Sequence, residues 1–218
     1  MRKLVLLLVT LVSFCVFIGL AALGWGGFKA FFGQPPFVAL TVVTFALGLA
    51  AAFTSVNLSP GEREDRGNRW VLPVFGVLGL LQAWLPAYTD QLGYLTFGGT
   101  AVRWTGVVIY TLGGVLRIWP LFVLGRRFSG LVAIQPEHQL VTTGLYRMVR
   151  NPSYVGLLLT VLGWALAFRS GAGLILFAAT LTPVIGRIDA EEKMLSSQFG
   201  AAWDAYAART WRLVPYVY

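Results

Sequence analysis

Two polar stretches carry residue types able to do chemistry in an otherwise oily chain. The first, Gly144-Leu-Tyr-Arg-Met-Val-Arg-Asn-Pro-Ser-Tyr-Val-Gly156, crowds Tyr146, Arg147, Arg150 and Tyr154 around a helix start. Phenols and guanidiniums are donors suited to a carboxylate, and a guanidinium can grip one with two parallel hydrogen bonds. Asn151 is placed to cap the free amides, and Pro152 suits a first helical turn, where a missing N–H costs nothing. The second stretch, Arg187-Ile-Asp-Ala-Glu-Glu192, sets Arg187 and Glu191 four residues apart on one helix face. Such a pair on a bare surface contributes only about 0.2–0.5 kcal/mol. Beside a substrate, the same arginine can hold a carboxylate, or the glutamate can take a proton from an amine or thiol. Asp189, Glu191 and Glu192 also emerge where a hydrophobic helix ends, on a surface otherwise rich in arginine.

His138, the one histidine, lies between these stretches and the preceding hydrophobic run and can serve as a titrating donor or acceptor. Glu137 and His138 are too thin a supply for a dedicated metal site. Cys15, the one cysteine, permits neither an intrachain disulfide nor a cysteine metal site.

The elements that must position these groups are hydrophobic helices. The chain of 218 residues is 57% hydrophobic and 12% charged, which excludes an ordinary soluble domain, where about 25% is charged. Six windows are long and apolar: Leu4–Leu23, Phe37–Val56, Trp70–Tyr88, Trp104–Gly125, Asn151–Phe168 and Ser170–Gly186. About 20 residues span a bilayer; four windows meet that length easily and the last two are marginal. Only Arg169 separates those two, so they read as a tight helical hairpin turned by Arg169-Ser-Gly-Ala-Gly173. Leu4–Leu23 exceeds a secretory h-region of about 7–15 residues and reads as the first helix. Met194, Leu195 and Phe199 then give an amphipathic C-terminal helix lying along the interface. The expected fold is therefore all-α, a polytopic integral membrane protein of about six transmembrane helices, in one membrane domain over residues 1–218. Residues 1–103 carry no motif; 104–218 form the chemical core.

The net charge of +8 is explained by topology. With the N-terminus in the cytoplasm and six crossings, Arg2, Lys3, Arg63, Arg66, Arg69, Arg126, Arg127, Arg147, Arg150, Arg187, Lys193, Arg209 and Arg212 fall inside. Lys29, Arg103 and Arg169 fall outside. The positive-inside rule favours that threading, with both termini and both polar stretches cytoplasmic. Nucleic acid is not needed as a partner. Arg117 lies within a hydrophobic window, where an ionisable residue either supports a site or snorkels to the interface.

Taken in order, the motifs resemble the isoprenylcysteine carboxyl methyltransferase family and the wider membrane phospholipid methyltransferases. The series runs Leu124-Gly-x-x-Phe-Ser129, His138-x-Leu140, Thr143-Gly-x-Tyr146, Arg150-Asn-Pro-x-Tyr-x-Gly156, Arg187-x-x-x-Glu-Glu192, Phe199-Gly200, Tyr206 and Pro215. The likeness covers Arg117 to Pro215 and not the first three helices. The family pattern has His where this chain has Asn151, which keeps a hydrogen-bonding side chain but loses the titratable ring. It has Gly-Pro-Tyr where this chain has Leu145.

The resemblance implies S-adenosylmethionine as cofactor. It assigns His138, Leu140, Gly144, Tyr146, Asn151, Pro152, Tyr154 and Glu192 to the cofactor pocket, and Arg187 and Glu191 to the methyl-transfer centre. The partners it implies are the bilayer and a lipophilic or small-molecule acceptor. A prenylcysteine carboxylate is the family's namesake acceptor; a phospholipid amine or a small thiol are the alternatives within the chemistry. A transporter or a non-enzymatic membrane subunit is the reading from another class, but transporters place polar residues at mid-membrane in symmetric halves, and neither feature is evident here.

Overall fold

The computed structural model describes residues 2–54, 63–124, 132–134 and 139–218. Its helices are α1 (Arg2–Gly24), the short α2 (Phe28–Phe32), α3 (Pro35–Ala52), α4 (Val71–Gln91), α5 (Thr100–Leu124), α6 (Pro152–Ala167), α7 (Gly171–Phe199) and α8 (Ala201–Ala207). Two-residue strands β1 (Arg63–Glu64) and β2 (Ala133–Ile134) pair antiparallel at one end. Helices α1, α3, α4 (with the 3-10 turn before it), α5 and α7 are long and apolar enough to cross a membrane.

Helix α6 has 16 residues, short of the full crossing its window suggested. Its start is fixed by Pro152, and it ends in a three-residue turn, Phe168 to Ser170, with Arg169 at φ 48°. The buried Ser170 hydroxyl caps α7 by accepting from the Gly173 amide at 3.0 Å. The expected hairpin is therefore present, but its turn stops at Ser170, and Gly171 to Gly173 already belong to α7.

What α6 lacks in length it gains in contact with α5. Gly106 and Gly113 on α5 face Gly156 and Gly163 on α6, each pair seven residues apart and so on one helix stripe. A Cβ on Gly113 would sit 2.5 Å from the Thr160 amide nitrogen, and one on Gly156 would strike the backbone at Arg117. Backbone approaches backbone here, the small-residue contact by which helices associate in lipid.

The polar stretch Arg187–Phe199 is helical, as expected, yet it is not a separate interfacial helix. It prolongs α7 without a break, because no Gly or Pro intervenes between Gly186 and Gly200. Only after Gly200, at φ 51°, does the short α8 begin.

The two ends of the bundle differ. At one end Phe31, Phe37, Trp164 and Phe168 are fully buried, with Phe37 and Phe168 rings stacked 4.6 Å apart. Beside them the buried Asp90 carboxylate accepts from both Arg103 and Arg169, and Arg103 lies 5.0 Å over the Trp25 ring. This triad ties α4, α5 and the α6–α7 turn. The other end holds β1 and β2, the approach to α6, the prolongation of α7 and everything after it. Both polar stretches meet there.

Candidate active site

Helix α6 begins one residue before Ser153 and two before Tyr154, so its first turn carries both inward. The buried Tyr154 hydroxyl donates to Glu191 Oε1 at 2.6 Å and accepts from Arg187 Nε at 2.7 Å. Arg187 Nε also reaches Glu191 Oε1 at 3.0 Å. The i,i+4 pair read from sequence thus exists, but it is not a surface pair: the Arg187 side chain is 8% exposed and the Glu191 side chain 26%. Helix α5 adds Arg117, whose Nη1 donates to Ser153 Oγ at 2.7 Å and whose guanidinium lies 5.8 Å from the Tyr154 ring. Arg117 therefore supports the site rather than snorkelling away from it. Two guanidiniums and one carboxylate leave this cluster with one excess positive charge, an arrangement suited to an anion.

One residue along, Glu192 points elsewhere. Its Oε1 accepts from Arg150 Nε at 3.0 Å and from Asn151 Nδ2 at 3.1 Å, and its Oε2 from Arg212 Nε at 2.8 Å. Asn151 does not cap α6 with its side chain, as its position had suggested. Its amide nitrogen instead donates to Glu192 and to the Arg212 carbonyl, and these two contacts set the side chain's orientation. Arg150 Nη1 also donates to the Ala207 carbonyl at 2.9 Å and to the Thr210 carbonyl, tying the chain after α8 to the start of α6. Burial alone would lower the Arg212 pKa, but hydrogen bonds and charge from Glu192, with Asp189 and Tyr218, hold it above its ordinary value.

Tyr146 is buried, its ring 5.8 Å from that of Trp119, and its carbonyl accepts from the Tyr206 hydroxyl at 2.8 Å. Burial pushes the Tyr146 phenol well above its ordinary pKa and that of Tyr206 up to about 12, so both stay neutral donors at any working pH. Gly144 takes φ 62°, and a Cβ there would press on Trp119 at 3.3 Å. Leu140 is half-buried on the extended approach to Gly144. His138 and residues Gly125 to Ser129 of the Leu-Gly-x-x-Phe-Ser motif lie outside the described residues.

The structure thus separates the expected residues into two groups. Tyr154, expected with the cofactor set, stands with Arg187 and Glu191. Asn151 joins Glu192, with Tyr146 and Gly144 on the adjoining aromatic side. Sequence reasoning gave no site role to Arg150, Ser153 or Arg212, which the structure brings against the expected residues. Arg150 was within reach, as part of the quoted motif. Arg212 lies 20 residues from Glu192 with no spacing to link them. Among the described residues, no three His, Cys, Asp or Glu side chains gather to hold a metal.

The donor and acceptor set fits S-adenosylmethionine. The half-buried Trp119 ring beside Tyr146 can offer a stacking face to a purine, Glu192 can accept from hydroxyl or amino groups, and Glu191 and Glu192 can attract a sulfonium.

Comparison with known proteins points to one family. The model of the phospholipid methyltransferase family matches residues 101–202. The protein-S-isoprenylcysteine O-methyltransferases A and B of Arabidopsis thaliana are 32% identical over 137 residues and 35% identical over 115. Those matches cover 58% and 51% of this chain, and 70% and 58% of the relatives.

The chain belongs to the isoprenylcysteine O-methyltransferase family.

The fission yeast member, from Schizosaccharomyces pombe, is 27% identical over 220 residues, 93% of this chain and 91% of its own. The fold is that of a solved family structure, the eukaryotic intramembrane Ras methyltransferase ICMT, at TM-score 0.54 and 20% identity, over 84% of this chain and 68% of that one. The chain is thus a membrane-embedded methyltransferase, and the family match runs from α5 to the start of α8, over the helices that carry Arg117, Tyr154, Arg187, Glu191 and Glu192.

Proposed function

We propose that this protein transfers a methyl group from S-adenosylmethionine to the carboxylate of a lipophilic acceptor of the S-prenylcysteine type. The observation that carries the reading is the buried Arg187–Tyr154–Glu191 cluster with Arg117 behind it. Bound S-adenosylmethionine supplies an electrophilic methyl. The protein's own task is to align the acceptor oxygen and strip it of water. An acceptor carboxylate is already ionised at neutral pH and needs no base. Arg187 holds it; Glu191 and Tyr154 fix the guanidinium. Glu191 Oε1 already accepts two hydrogen bonds, which suits an orienting group better than a base. Glu192, Asn151, Tyr146 and Gly144, with His138, Leu140 and Pro152, form the cofactor side. The acceptor's prenyl chain enters from the bilayer and the cofactor from the aqueous face.

That aqueous face is the cytoplasm in this reading, with both termini on the same side. Its support is charge: Arg147, Arg150, Lys193, Arg209 and Arg212 cluster at the site end, while two of the three cations at the far end are tied to Asp90.

Arg187→Lys keeps the charge but loses the planar fork. With a carboxylate acceptor, turnover should fall steeply while cofactor affinity barely moves, and Glu191→Gln should be milder. If Glu191 is instead the base for an amine or thiol, Glu191→Gln should be the worse variant and rising pH should partly rescue it.

A further inference from the structure

We propose that Arg212 is a positioning residue for the cofactor side of the site, holding Glu192 from across the chain. The proposal rests on the reading that Glu192 binds S-adenosylmethionine. Glu192 is only 12% exposed and takes three donors; two come from the neighbouring residues Arg150 and Asn151 on Oε1, so Oε2 is oriented by Arg212 alone among the described residues. A carboxylate has about four acceptor positions, so this arrangement leaves room for a further donor in a fixed direction. Arg212 is itself over-determined. Its Nη2 donates to Asp189 Oδ1 at 2.7 Å, its Nη1 to the Tyr218 hydroxyl at 2.6 Å, and its carbonyl accepts from Asn151. The next residue, Leu213, is buried against Tyr154, Val184 and Ile188, which anchors the segment on the same stretch of α7. Asp189 and Glu192 are three apart, on one face of α7, and the planar guanidinium spans both. The segment after α8 is thereby part of the site, although it contributes no residue to the acceptor cluster.

Calorimetric titration of the full-length protein with S-adenosylmethionine tests this. Arg212→Gln should raise the dissociation constant roughly tenfold or more, the cost of a lost charge-assisted hydrogen bond. Turnover at saturating cofactor should fall far less. Arg212→Lys should lie between, since an ammonium keeps the charge but not the span between two carboxylates. In a Glu192→Gln background, Arg212→Gln should change affinity by less than about twofold, because the two act through one contact. A purely structural arginine would weaken the protein without that coupling, and its effect would multiply with Glu192→Gln. Asp189→Asn retains Arg212 but removes one of its two carboxylate anchors, and should weaken binding by roughly two- to fivefold; it decides the matter if Arg212→Gln does not fold. Native affinity in Arg212→Gln, or fully multiplicative effects, overturns the proposal. No binding by the native protein would remove the cofactor reading itself, a result distinguishable from the first.

Discussion

At the scale of single residues, adjacent carboxylates with different partners do different work. Glu191 turns to Tyr154 and Arg187, and Glu192 to Arg150, Asn151 and Arg212. Tyr154→Phe keeps the ring and removes the hydroxyl that bridges Arg187 to Glu191. Turnover should fall roughly 10- to 150-fold, the worth of hydrogen bonds to charged groups, while S-adenosylmethionine affinity shifts by less than about threefold. A comparable loss in affinity would place Tyr154 back on the cofactor side. The Arg187–Glu191 contact was legible in the sequence as an i,i+4 spacing, and Glu192 only as part of the Arg-x-x-x-Glu-Glu motif. Arg212 was not, because nothing local links it to a carboxylate on another element. Asn151 was legible as a helix-start residue and misjudged in its contact, since its amide nitrogen is oriented by a carboxylate that the fold brings from another element.

Among elements, the α5–α6 contact positions Arg117 over the first turn of α6. The Gly106–Gly113 and Gly156–Gly163 stripes make it possible. Gly156→Val should force the helices apart at Arg117, at about 1–3 kcal/mol for overpacking, and lower both thermal stability and turnover. Unaltered values for both would show that the contact is loose enough to absorb a side chain. At the far end, Asp90→Asn would leave Arg103 and Arg169 without their shared carboxylate. Breaking a buried pair costs about 3–5 kcal/mol, so the unfolding temperature in detergent should fall well below that of the native protein. Folded Asp90→Asn protein should still bind the cofactor, because the triad and the site lie at opposite ends. The apolar windows were readable from composition alone. The brevity of α6 was not: a window counts apolar residues, whereas the helix ends where Arg169 adopts a left-handed turn and Ser170 caps its successor.

Viewed as a whole molecule, the protein places one chemical end and one structural end on opposite sides of an apolar bundle. In a Cys15→Ser background, a cysteine at Gly98 should react with an impermeant thiol reagent in intact cells, and one at Ser197 should not. The opposite pattern would put the site on the outer face. Charge asymmetry is the ground for this threading; the merging of the polar C-terminal stretch into α7 was not legible, since amphipathic periodicity is the same whether a helix lies on the membrane or leaves it. The chemistry proposed for the site end is methyl transfer to a carboxylate. Incubation of the purified protein with methyl-labelled S-adenosylmethionine and an N-acyl S-prenylcysteine tests it most directly, because a methyl ester releases labelled methanol in alkali while N-methyl and S-methyl products do not. Alkali-labile label that falls steeply in Arg187→Lys is the expected result; label that survives alkali, or no transfer by the native protein to this acceptor, rules out methylation of the carboxylate.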